Sequence, residues 1–150
     1  MAQRFFRGGA VVLAALLVLV GCASATPTTR APEALYLAVE LQQDGQTVAT
    51  PKVLGFEGKR VVVERKSPTS GTPDYRLILT PQEAGQGYSV LLDLDLPSGH
   101  RFGKVGLLHG EEQKVALDAN TELKVMLMRV DSPEFRALIQ RAPARVKGSI

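Results

Sequence analysis

Between Ala34 and Asp131 turn-forming residues recur every eight to twelve positions, and between the turns the apolar residues keep a period of two. No other feature constrains the fold as strongly, because alternate side chains of a strand face opposite ways whereas a helix repeats near 3.6. Leu35, Leu37, Val39 and Leu41 alternate with Tyr36, Ala38, Glu40 and Gln42. In Tyr88 to Leu96 the pattern is cleaner still: Val90, Leu92, Leu94 and Leu96 share one face, and Ser89, Leu91, Asp93 and Asp95 the other. Further strands are expected over Val48 to Gly55, Arg60 to Glu64, Tyr75 to Thr80, Phe102 to His109, Lys114 to Asp118 and Leu123 to Val130. Asp44-Gly45 suits a two-residue hairpin, since both central positions of a type I′ turn need positive φ. Glu57-Gly58, Ser67 to Pro73, Gly85 to Gly87, Pro97-Ser98-Gly99, His109-Gly110 and Asp118-Ala119-Asn120 separate the rest.

Short strands with no long helix between them argue against βαβ units and predict an all-β fold, a small antiparallel β-sandwich or barrel over residues 34–131. About one hundred residues bury roughly 60–70% of the surface their unfolded chain exposes, enough for a Leu and Val core without staples. Staples are in any case excluded. One cysteine forms no intramolecular disulfide and no four-cysteine zinc site, and two histidines leave little for a soft metal.

After Asp131 the period becomes helical, so residues 132–150 are expected to form a short helix and a basic tail. Ser132 suits the cap, Pro133 the first helical position and Glu134 the first turn. Phe135, Leu138 and Ile139 line one face, Arg136, Gln140 and Arg141 another, and Pro143 stops the run. So short a helix is not stable alone. It docks on the sandwich through Phe135, Leu138 and Ile139, or it folds on a partner.

The N-terminal segment has a different logic. Arg4 and Arg7, with no acid, precede eleven uncharged residues from Ala10 to Val20, the layout of a secretory signal. Eleven helical residues span about half of a ~30 Å hydrocarbon core, too few for a transmembrane helix. The run ends in Leu19-Val20-Gly21-Cys22, which resembles the lipobox of bacterial lipoproteins at all four positions. The resemblance implies cleavage between Gly21 and Cys22, so that residues 1–21 are a signal peptide. It also implies a diacylglyceryl thioether on Cys22 and acylation of its new amino group. The chemistry suits the residues: a thiol is the most nucleophilic side chain for thioether formation, and Gly21 keeps the backbone accessible. Each buried methylene contributes about 0.8 kcal/mol, so two or three chains anchor stably where one is marginal. Ala23-Ser24-Ala25 is itself an A-x-A site at which an ordinary signal peptidase would release a soluble chain. In lipoproteins the residue after the cysteine helps sort between membranes, and Ala23 favours the outer membrane, facing the periplasm, in a Gram-negative host. Residues 22–33, small, polar and proline-bearing, read as a flexible tether.

A second resemblance is local. Thr50-Pro51-Lys52-Val53-Leu54, Gly58 and Val61-Val62-Val63, continued by Leu77-Ile78-Leu79-Thr80-Pro81 and Val90 to Leu96, are similar to the core β-hairpins of bacterial secretins over about residues 50–97. The membrane hairpins and ring-forming domains of secretins have no counterpart, so the resemblance implies hairpin topology and not channel formation.

Site chemistry is sparse. Asp93 and Asp95 share a strand face roughly 7 Å apart, and the Pro97-Ser98-Gly99 turn brings the following strand, flanked by His100 and His109, beside them. These four residues form one candidate binding surface, and Phe135, Leu138 and Ile139 form the other. No nucleophile elbow or phosphate-cradling glycine loop is present. Neither a catalytic site, a metal site nor a cofactor is therefore expected. Residues 34–131 carry eleven bases against thirteen acids, whereas 132–150 carry four bases against one acid. Without a set of stacking aromatics, nucleic acid is not an expected partner of an exported chain. The expectation is a lipid-anchored envelope lipoprotein, not an enzyme, that binds membrane lipid through Cys22 and an envelope protein through its folded part, as a binding or assembly-support module. A small-ligand-binding or enzyme-inhibiting envelope protein is the alternative.

Overall fold

The alternation of Leu35, Leu37, Val39 and Leu41 becomes β1 (Ala34–Gln43), whose inward residues are buried and whose outward ones are partly exposed. The computed structural model describes residues 30–141; Gly21, Cys22, the signal segment, the tether to residue 29 and the tail from 142 lie outside the described residues. Asp44 and Gly45 both take positive φ, 52° and 76°, as the type I′ hairpin requires.

The segment expected as one strand over Val48 to Gly55 is instead divided at Thr50-Pro51, into β2 (Gln46–Ala49) and β3 (Lys52–Phe56). Pro51 has no N–H to give to a ladder, yet both halves still pair with β1, from Leu41↔Ala49 and from Ala38↔Lys52 to Ala34↔Phe56. Its carbonyl accepts the Val39 N–H at 2.9 Å. The proline thus interrupts a sheet edge, where it is tolerated.

The remaining elements are β4 (Val61–Lys66), β5 (Pro73–Ala84), β6 (Gly87–Leu96), β7 (Gly99–Leu107), β8 (Glu112–Ala116), β9 (Thr121–Arg129) and α1 (Pro133–Arg141). The first sheet runs β2/β3, β1, β9, β8 and the second β4, β5, β6, β7, all antiparallel. The fold is an all-β sandwich of two sheets with a C-terminal helix, not a closed barrel. The chain crosses between sheets from β3 to β4 and back from β7 to β8, and β1 pairs β9 from Leu35↔Arg129 to Gln43↔Thr121. No helix among the described residues is long and apolar enough to cross a membrane.

Between the sheets lies a core of leucine and valine: Leu35, Leu37 and Leu41 from β1, Leu77 and Leu79 from β5, Val90, Leu92 and Leu94 from β6, and Leu123, Val125 and Leu127 from β9 are fully buried. Where the chain crosses between sheets, a glycine lets the edges approach. A Cβ on Gly55 of β3 would run into Val61 of β4, and one on Gly103 of β7 would lie 2.5 Å from Leu117 Cδ2. Pro81 stands inside β5 without costing a ladder bond. Its carbonyl accepts Gly58 N–H at 2.7 Å, so its nitrogen faces the same side, beyond the last β4 pair at Val61↔Leu79.

A polar tie closes each end of the sandwich. At one, Arg101 Nε donates to Asp118 Oδ2 at 2.6 Å, joining β7 to the β8–β9 turn, while Asp118 Oδ1 accepts the N–H groups of Asn120 and Thr121. At the other, the Tyr88 hydroxyl of β6 donates to Glu33, ahead of β1. Burial, then that carboxylate, push the Tyr88 phenol well above its usual range.

Two carboxylates stay charged to unusually low pH. The Arg101 bond, helped by the turn N–H groups, lowers Asp118 to about 2 from an ordinary 3.8. Hydrogen bonds from Gln42, Thr47 and Lys124 lower Glu40 to about 2 from 4.5. Because the folded-state values are depressed, the unfolded chain takes up these protons first. Their stabilisation is complete above the unfolded values and is lost as pH falls toward about 2. Urea denaturation at pH 6, 4 and 2.5 is expected to show a midpoint that falls below pH 5, with a shallower fall in Asp118→Asn; equal slopes in the two proteins would remove Asp118 from the account.

Candidate functional site

Two solvent-facing surfaces on opposite sides of the sandwich carry the candidate residues. The first is the outer face of the second sheet. Even-numbered residues of β7 and odd-numbered residues of β6 point outward there, because Val90, Leu92, Leu94, Val105 and Leu107 point in. Register then sets His100 directly opposite Asp95 and Phe102 opposite Asp93. The His100 ring reaches diagonally, and its Nε2 lies 2.6 Å from Asp93 Oδ1. Ligating atoms of Asp93, Asp95 and His100 all fall within 4.8 Å of one another. Asp95 makes no ion pair among the described residues: Arg76, its cross-strand neighbour, turns its Nε to Glu64 Oε2 at 3.8 Å.

The fourth residue expected there does not join them. The strand expected over Phe102 to His109 ends early: β7 stops at Leu107 and His109 sits in the β7–β8 turn, at the opposite end of β7 from His100. Gly110, at φ 77°, shares that turn with His109. Its Nε2 is shut off from solvent with no hydrogen-bond partner among the described residues.

On the side of the acidic cluster away from Arg76 the face is apolar. Phe102 is 61% exposed and Val62 of β4 51%, and between them Ile78 of β5 is buried although it points outward. Cross-strand pairing sets Val62 beside Ile78 and Ile78 beside Asp93, while Leu91 lies diagonally between Ile78 and Phe102.

The second surface is the outer face of the first sheet, where α1 docks. Ser132 caps the helix, its Oγ accepting the Phe135 N–H at 3.2 Å. Phe135 is buried with its ring 5.2 Å from that of Tyr36 on β1, and burial raises the Tyr36 phenol. The expected docking through Phe135, Leu138 and Ile139 holds for Phe135 alone: Leu138 remains 37% and Ile139 55% exposed. All three share the helix face that borders the sheet, but only the Phe135 ring reaches it, and Leu138 and Ile139 stand over a gap. Between helix and sheet runs a groove of about 430 Å³, lined by Tyr36, Lys52, Leu54, Phe135, Leu138, Ile139 and Arg141. Leu54, 65% exposed, faces outward opposite Tyr36, and Phe56, 54% exposed, opposite Ala34.

Leu54, Phe56, Val62 and Phe102 are surface residues that the sequence reading did not single out. The signal was present at β3: Lys52 shares their parity, and a lysine two residues before a leucine marks the outer face. Chemically, the first surface offers a carboxylate pair and an imidazole on an open strand face beside an exposed aromatic. The second offers an apolar groove whose lining charges, among the described residues, are cationic. No protein-family model, no curated protein and no solved structure matches the chain.

Proposed function

We propose that the chain is a lipid-anchored envelope lipoprotein whose sandwich is a binding or assembly-support module, presenting the outer face of the second sheet to an envelope protein. The anchor part rests on Leu19-Val20-Gly21-Cys22. The observation that carries the binding part is the exposure of Phe102 and Val62 on a rigid, hydrogen-bonded face. Exposed aromatics on such scaffolds are the residues through which interfaces concentrate their affinity. Asp95, free of an ion pair among the described residues, gives the face a place for a basic side chain of the partner.

A photocrosslinking residue at position 102, in cells that express the protein natively, is expected to capture one envelope protein, and the same residue at Ser70 to capture none. Phe102→Ala is expected to weaken the purified complex by roughly 30-fold, the scale of a hot-spot truncation. Equal capture from both positions would overturn the reading. A small-ligand module is the second reading, favoured by the convergence of Asp93, Asp95 and His100. It predicts saturable binding of a divalent cation, lost in His100→Ala.

A further inference from the structure

We infer that the groove between α1 and β3 is a seat for the anionic phospholipid surface of the membrane to which the chain is anchored. The inference rests on the lipoprotein reading, and it assigns the face of the sandwich opposite to the one offered to a protein partner.

Three observations converge on this occupant. Leu54, Leu138 and Ile139 line the groove while exposed, and Phe56 is exposed two residues along β3 from Leu54, where an isolated domain would bury or disperse such side chains. Its charges have one sign: among the described residues Lys52 and Arg141 line the groove and no acid does. Apolar side chains beside cations on a short amphipathic helix are the chemistry of an interfacial contact, in which leucine and isoleucine enter the acyl boundary and the bases meet lipid phosphates. A basic residue of a protein partner, by contrast, would find no counter-charge here.

The third observation is where the chain enters. β1 begins at Ala34, which pairs with Phe56, and Tyr36, two residues on, forms the floor of the groove. Residues 23–33 are all that separates Cys22 from this point, a length that spans at most about 40 Å. A lipid on Cys22 therefore keeps this end of the sandwich within that distance of the bilayer. Under such a leash a weak contact is populated, because its effective concentration is high. With the groove face down, Phe102, Val62, Asp93, Asp95 and His100, on the other sheet, face away from the membrane.

The test uses the full-length gene product, purified as the processed protein from its native membrane and reconstituted in two kinds of vesicle. One is phosphatidylcholine with one quarter phosphatidylglycerol, the other phosphatidylcholine alone. Cys22 is the one native cysteine, so its alkylation leaves introduced thiols as the sole labelling sites. An environment-sensitive fluorophore on Ile139→Cys is expected to shift to the blue and be quenched by lipid-borne quenchers in the anionic vesicles. The response should fall at least several-fold in neutral vesicles, and likewise when Lys52→Glu and Arg141→Glu are added. The same label on Lys104→Cys, on the opposite face, is expected to stay aqueous in both. Hydrogen exchange of the unmodified protein guards against misfolded variants: α1 amides should be slowed by anionic vesicles and β7 amides should not. An aqueous Ile139 label in both vesicles overturns the inference, as does equal quenching at both positions. Shielding that needs no lipid but grows with protein concentration would make the occupant a second copy, and overturn it too. Reaction of the native protein with a thiol reagent shows instead that Cys22 carries no lipid, so a failed anchor and a failed seat are told apart.

Discussion

Leu92→Ala is expected to destabilise the sandwich by about 3–4 kcal/mol, and Leu91→Ala, its immediate neighbour, by less than about 1 kcal/mol. Leu92 is fully buried in β6, an interior strand of the second sheet, whereas Leu91 stands on the outer face. The cost of Leu92→Ala should sit in the upper part of the usual range because of what faces it. Of its two cross-strand partners, Leu79 is itself fully buried and Gly103 has no side chain to swing into the space left behind. Gly103 also lies close to Leu117, the first residue after β8, which leaves the two edges little room to close in. Thermal unfolding followed by circular dichroism should show a midpoint more than about 10 °C lower for Leu92→Ala and nearly unchanged for Leu91→Ala. Similar losses in the two variants would mean that the register of β6, and with it the outward placement of Asp93 and Asp95, is off by one residue.

That contrast also shows how much of the molecule can be read from its residues. Alternation in β1 and β6 is legible because each has one face in the core and one in water, so burial is written into every second residue. Asp44-Gly45 is legible because few residue pairs accept two positive φ angles. Three features are not local and leave no such trace. The pairing of β1 with β9 joins the two ends of the domain, and nothing in either strand names the other. The break at Pro51 depends on β2 and β3 lying at a sheet edge, where a missing N–H is tolerated. The groove depends on α1 docking through Phe135 alone, which follows from the position of Tyr36 and not from helical periodicity.

The candidate site divides along the same line. Asp93, Asp95 and His100 come together because one two-residue hairpin fixes their register, a local event that the turn residues announce. His109 fails to join them because nine residues of extended strand, about 30 Å, separate it from His100, a distance the sequence already sets. Leu54 and Phe56 look like core in a chain where most leucines are core; the inward residues of β3 are instead Val53 and Gly55, and a glycine gives no hydrophobic mark. An inward glycine beside an outward leucine inverts the usual reading of a strand.

Cys22→Ser is expected to have the largest effect on where the protein resides. If the thiol carries diacylglycerol and the amino group a third chain, the processed wild type should measure heavier than residues 22–150 by the mass of those groups, and remain with membranes after carbonate washing. One acyl chain holds a protein to a bilayer with an association constant near 10⁴ M⁻¹, whereas each further chain adds about 0.8 kcal/mol per methylene and makes release negligible. Serine offers no thiolate for the alkylation, so the variant should lose the added mass entirely. The Ala23-Ser24-Ala25 site remains open to an ordinary signal peptidase, and cutting there frees a chain that begins at Thr26. The variant is therefore expected in the soluble fraction, with Leu54, Phe56, Leu138 and Ile139 still on the surface but no leash to hold them near a bilayer. A wild-type protein that already begins at Thr26 and carries no lipid would sink the anchor. It would also change the meaning of the groove, because an untethered apolar surface lined by two cations would then need a partner that binds on its own affinity.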